Sequence, residues 1–128
     1  MKHGVAGVAL AVLAGASWAQ DAPEYSAVYR SCMESAQSTA SMSECSAAEL
    51  KREDARLNQA YKKAMAGLEA DSQGRLRDAQ RLWVKYRDSN CSMYYQLTGG
   101  TMDILNGGGC SLSMTKARAD ELEALQGL

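Results

Sequence analysis

The chain has 128 residues with fourteen Lys and Arg, fifteen Asp and Glu, and one histidine, for a net charge of −1. That length suits about one small domain, and the near balance of charge offers no electrostatic footprint for nucleic acid. No cofactor-binding motif is present, and no cofactor is expected.

Met1, Lys2 and His3 precede an almost unbroken run of Ala, Val, Leu and Gly from Gly4 to Ala16. A charged start, an apolar stretch and the small residues Ser17 and Ala19 before Gln20 form the pattern of a secretory signal peptide cleaved after Ala19. The apolar run is shorter than the roughly 18 to 20 residues that cross a bilayer. Ser17 and Trp18 stand where a lipoprotein would carry its cysteine, so no lipid anchor is expected. Residues 1–19 are thus read as leader and 20–128 as a single exported domain, periplasmic or secreted. Without Lys2 that domain carries thirteen basic and fifteen acidic side chains, a charge of −2.

Beyond Pro23, helical periodicity recurs in four segments and no strand is expected. Tyr25, Val28, Tyr29 and Cys32 share one face of a first helix, which a Ser/Thr-rich break from Gln37 to Ser41 ends. The second helix is expected to start on the capping box Ser41-Met42-Ser43-Glu44 and to turn Leu50, Asp54, Leu57, Tyr61, Met65 and Leu68 inward. A turn at Ala70-Asp71-Ser72 leads to a third helix with the stripe Leu76, Gln80, Trp83, Arg87, Cys91 and Tyr94, forming a long central antiparallel hairpin. A glycine-rich connection follows from Thr98 to Cys110. The last helix is predicted from about Ser111 or Ser113, with Thr115, Arg118, Leu122 and Leu125 on one side. The expected fold is all-α, a small bundle of about four helices.

All four cysteines lie in the exported part, and an even number in an oxidising compartment reads as two disulfides. Zinc ligation is disfavoured because no C-x-x-C pair occurs. Of the three possible connectivities, Cys32 with Cys45 and Cys91 with Cys110 place each pair symmetrically about a turn, at the short range a disulfide needs.

The only histidine, His3, leaves with the leader, so the exported domain has no imidazole base or ligand. Oxidised cysteines are not nucleophiles, and the adjacent Glu53 and Asp54 diverge on a helix, unlike the facing carboxylates of a glycosidase. No enzyme and no metal site is expected. Two charges interrupt the apolar stripes, Asp54 and Arg87, and these are expected to form a buried salt bridge completed by Asn58, Gln80 and Tyr61. Asp88 and Arg118 invite a similar structural reading, and Trp83 reads as core.

Taken together, Cys45, Asp54-x-x-Leu57-Asn58-x-x-Tyr61, Gln80-x-x-Trp83, Arg87-Asp88-x-x-Cys91, Gly99-Gly100-Thr101, Cys110 and Thr115-x-x-Arg118 resemble the LprI-type lysozyme inhibitor domain. The resemblance runs from about Cys32 to Leu125. It implies a small helical, disulfide-bonded protein of the bacterial envelope or periplasm whose partner is a lysozyme. The competing expectation is an envelope domain that binds another protein or a small ligand, with no lysozyme target. For a protein partner, the candidate contact is the segment held between Cys91 and Cys110, with Thr98, Gly99, Gly100, Thr101 and Asp103 supplying donors and a charge.

Overall fold

A computed structural model describes residues 24–127; the expected leader, residues 1–19, lies outside them. The chain runs through α1 (Ala27–Ser35), α2 (Thr39–Ala66), α3 (Ala70–Tyr94), α4 (Met102–Ala124) and a closing 3-10 turn, Leu125–Gly127. There is no strand among the described residues. Cys32 is bonded to Cys45, with Cα atoms 5.7 Å apart, and Cys91 to Cys110, at 5.5 Å.

Local chemistry moves three helix boundaries from their expected places. The capping box forms one turn earlier than Ser41–Glu44: Ser38 Oγ accepts from Ser41 N at 3.1 Å, and Ser41 Oγ accepts from Ser38 N at 3.0 Å. A serine at the third helical position thus does what glutamate does in the usual box. The hairpin turn falls at residues 67–69, not 70–72, because α2 ends on Gly67. The Gln73 side-chain amide donates to the carbonyls of Met65, near the end of α2, and Leu68, in the turn, at 2.9 and 3.0 Å.

The third shift is the largest. Gly107, Gly108 and Gly109 belong to the interior of α4, not to a loop, so the connection shrinks to residues 95–101. Glycine disfavours helix by about 1 kcal/mol relative to alanine, and packing decides the matter here. The Tyr95 ring lies on Gly107, where a Cβ would collide with it. The disulfide from Cys110 to α3 fixes the same turn.

α4 is the element that α2 and α3 share, running along α2 and against α3. The core joins Leu57, Ala60 and Ala64 of α2, Leu76 of α3 and Ala119 and Leu122 of α4, with Tyr61, Met65, Leu68, Trp83 and Leu125 packed around it. The buried face of α2 runs Cys45, Glu49, Glu53, Leu57, Ala60 and Ala64, rotated from the expected stripe, which it meets only at Leu57. Alanines at 60, 64 and 119 let two backbones approach closely, since helix separation follows the size of the contacting side chains. α1 buries no residue of its own and is held by Cys32 and by α2.

Candidate partner-binding turn and the polar residues around it

Three carboxylates are buried: Glu49, Glu53 and Asp103. Glu49, with its side chain 1% exposed, accepts from Ser26 N at 2.8 Å and Ser26 Oγ at 2.7 Å, and it pairs with Arg52. It thereby ties the N-cap of α1 to α2. Burial pushes this carboxyl up, yet the Ser26 hydrogen bonds and Arg52 outweigh it and leave the pKa below its ordinary value. Glu53 pairs with Arg56 at 2.8 Å, and Arg56 reaches on to Asp120 at 2.7 Å and Glu123 at 2.8 Å, clamping α2 to α4. Hydropathy gives these residues no weight. The repeat Glu49-x-x-Arg52-Glu53-x-x-Arg56 is the signal that marks them, two i,i+3 pairs in register.

The third buried acid organises the turn between α3 and α4. Asp103 is 3% exposed and accepts from Thr98 Oγ1 at 2.8 Å, Thr98 N at 3.0 Å and Gly99 N at 2.8 Å. Burial raises its pKa and these three donors lower it, with a net fall below the ordinary value. Gly99, at φ 77°, is the one left-handed residue described, and it brings its amide onto the carboxylate. Gly100 N donates to Thr98 Oγ1 at 3.2 Å. The expected role of Asp103 as a charge facing a partner is therefore corrected. Its carboxylate faces inward, and the amides of Gly99 and Gly100 are already engaged.

What this turn and the start of α4 show to solvent includes several large apolar side chains. Thr98, Gly99, Gly100 and Thr101 are exposed, and so are the large side chains of Tyr95, Leu97, Met102 and Ile104 beside them. Cys91–Cys110 closes the base. The arrangement offers a surface whose large contacts would be hydrophobic, since the donors of Thr98, Gly99 and Gly100 are engaged within the turn.

The expected buried salt bridge is also corrected. Asp54 is 52% exposed and only 4.0 Å from Arg87, whose side chain is 18% exposed. Arg87 instead pairs with its exposed neighbour Asp88 at 2.8 Å, donates to the buried Thr115 hydroxyl at 3.2 Å, and lies over the Trp83 ring at 5.1 Å. Arg118 donates to Gln80 Oε1 at 2.9 Å and Glu121 at 2.7 Å, not to Asp88. Asn58 is exposed, and Tyr61, Gln80 and Trp83 are half-buried. These residues do not form an interior network. They border the valley between α2 and α3.

Among the described residues there is no free cysteine, and no cluster of His, Cys, Asp and Glu suited to a metal ion. No helix among them is long and apolar enough to cross a membrane.

Comparison with known proteins adds the family. A protein of Rhizobium meliloti (strain 1021), itself uncharacterised, is 28% identical over 95 residues, covering 63% of this chain and 68% of its own. No solved structure matches. The family model described as lysozyme inhibitor LprI matches residues 32–122, a span that takes in both disulfides and the apolar turn. The chain belongs to the LprI lysozyme-inhibitor family.

Proposed function

We propose that this protein is exported to the bacterial envelope, binds a lysozyme and so shields peptidoglycan from hydrolysis. Family membership across residues 32–122 is the observation that carries this reading. The two disulfides fit an oxidising compartment. Lysozymes act through two carboxylates in a cleft, and a protein that occupies or covers the cleft stops catalysis without chemistry of its own. The turn at residues 95–101 together with the first turn of α4 is the surface we assign to the contact, with Leu97, Met102 and Ile104 as anchors. Its internal hydrogen bonds remove most of the ordering cost that a loose loop would incur on binding.

The test is a cell-wall turbidity assay with purified protein and lysozymes of several types. Inhibition at micromolar concentration is expected, and its absence against every type would overturn the reading. Replacing Leu97, Met102 and Ile104 with serine should abolish inhibition while leaving helicity and melting unchanged. Inhibition that survives these replacements moves the contact to another face.

A further inference from the structure

The valley between α2 and α3 is left open by the fold, with α4 beneath it. The Arg87–Asp54 contact crosses it and divides it in two, and the larger part has a volume of about 500 Å³. That is within the roughly 300–1,000 Å³ of small-ligand clefts. Four features converge there. Trp83 and Tyr61 supply an aromatic side, both half-buried against the core. Asn58 has no side-chain hydrogen bond to any described residue, and Gln80 uses only its oxygen, on Arg118, leaving its amide donors unengaged. Arg77 and Arg81 line the same cleft and have no ion-pair partner among the described residues. Arg87 is already paired with Asp88 and lies 4.0 Å from Asp54, so Arg77 and Arg81 are the two guanidinium groups the cleft leaves for a ligand, on a chain whose net charge is negative.

We infer that this valley is a binding site for a small acidic saccharide, with a sugar ring against the Trp83 and Tyr61 side and its carboxylate taken by Arg77 and Arg81. The excess positive charge selects an anion. Tyr61 and the part of Trp83 that Arg87 does not cover, beside neutral amides, match a sugar ring, which has an apolar face and a rim of hydroxyls. Asp54 can accept from such hydroxyls. Asn58, Arg77 and Arg81 are exposed, so their polar atoms face water and are available to a ligand, whereas those of the buried Glu49 and Asp103 are engaged within the protein. This site is separate from the apolar turn and does not depend on lysozyme inhibition.

The test is proton–nitrogen NMR of the labelled protein titrated with the disaccharide of N-acetylglucosamine and N-acetylmuramic acid, which carries one carboxylate. Its neutral counterpart diacetylchitobiose and inorganic sulfate serve as comparisons. The acidic disaccharide should move the side-chain amides of Asn58 and Gln80 and the Trp83 indole. The neutral sugar should bind at least about tenfold more weakly, the loss expected when the charge contacts go. Arg77→Gln with Arg81→Gln should weaken the acidic sugar about tenfold, while inhibition of lysozyme by the same variant stays at the parent's level. Equal shifts with diacetylchitobiose or with sulfate would overturn the proposal. So would shifts confined to the turn at residues 95–101, or no shift at about 10 mM.

Discussion

The two disulfide-bonded ends of the molecule are built by one device and finished differently. At the α1–α2 end, Cys32–Cys45 is accompanied by Glu49, which gathers the amide and hydroxyl of Ser26. At the α3–α4 end, Cys91–Cys110 is accompanied by Asp103, which gathers Thr98 and Gly99. In each case a covalent bridge sets the distance and a buried carboxylate sets the conformation. Glu49 also has a cation, Arg52, whereas the charge of Asp103 is stabilised by hydrogen bonds alone. The first end fastens a helix that has no buried residue, and the second displays Leu97, Met102 and Ile104. Rigidity at the first end serves the fold. At the second it serves a surface.

The largest effect should come from the covalent part of the device. Replacing either cysteine pair with serine should cost roughly 3 kcal/mol in the chain-entropy model, slightly more for the longer Cys91–Cys110 loop. Denaturant titration reads the loss. Inhibition should fall with the Cys91–Cys110 pair and survive loss of the Cys32–Cys45 pair in protein that remains folded. If both losses affect inhibition equally, the distinction between the two ends fails.

Next come the carboxylates. Glu49→Ala leaves the Ser26 donors without their acceptor and should cost about 1–3 kcal/mol. Asp103→Asn should speed hydrogen exchange at the amides of Thr98 and Gly99 more than elsewhere. Both carboxyls are held below their ordinary values of 4.5 and 3.8. Their contribution is therefore complete above those values and is lost as pH falls through the lower folded-state values. Stability should stay level from neutral pH down to about 5 as far as these groups are concerned, then decline. In the double variant Glu49→Gln with Asp103→Asn that acid-side decline should shrink, as denaturation midpoints between pH 7 and 3 would report.

Within α4, Gly107→Ala and Gly109→Ala should move stability in opposite directions. A Cβ at 107 meets the Tyr95 ring, whereas nothing lies near one at 109. Thermal melting should show a loss for the first and a gain of about 0.5–1 kcal/mol for the second, because alanine narrows the unfolded ensemble and favours helix.

Asp54→Ala should be the mildest change, under about 1 kcal/mol, as for an exposed ion pair. A cost as large as that of Glu49→Ala would mean that the two acids do the same work despite their different exposure.

Much of the fold was legible in the residues themselves. The four helical segments follow from periodicity, and the two cysteine pairings from their symmetry about turns, because both are local properties of the chain. A connection beyond α3 was legible, but neither its length nor its chemistry was. Asp103 reads as a surface charge until the amides of Thr98 and Gly99 are placed on it, and a run of three glycines reads as a loop until Tyr95 covers Gly107.

Which face of α2 is buried was decided only in three dimensions. Hydropathy weights Leu50, Tyr61 and Met65 heavily and Ala60 and Ala64 lightly, but close approach to α4 rewards small side chains at the contact. The resulting rotation moves Asp54 out to the valley and carries Glu49 and Glu53 inward, where Ser26, Arg52 and Arg56 satisfy them. The local sequence determined that the chain would be helical and doubly cross-linked, since those features need only neighbours along the chain. The phase of α2, and with it the division of its polar residues between interior and cleft, depended on contacts with α4 some sixty residues away.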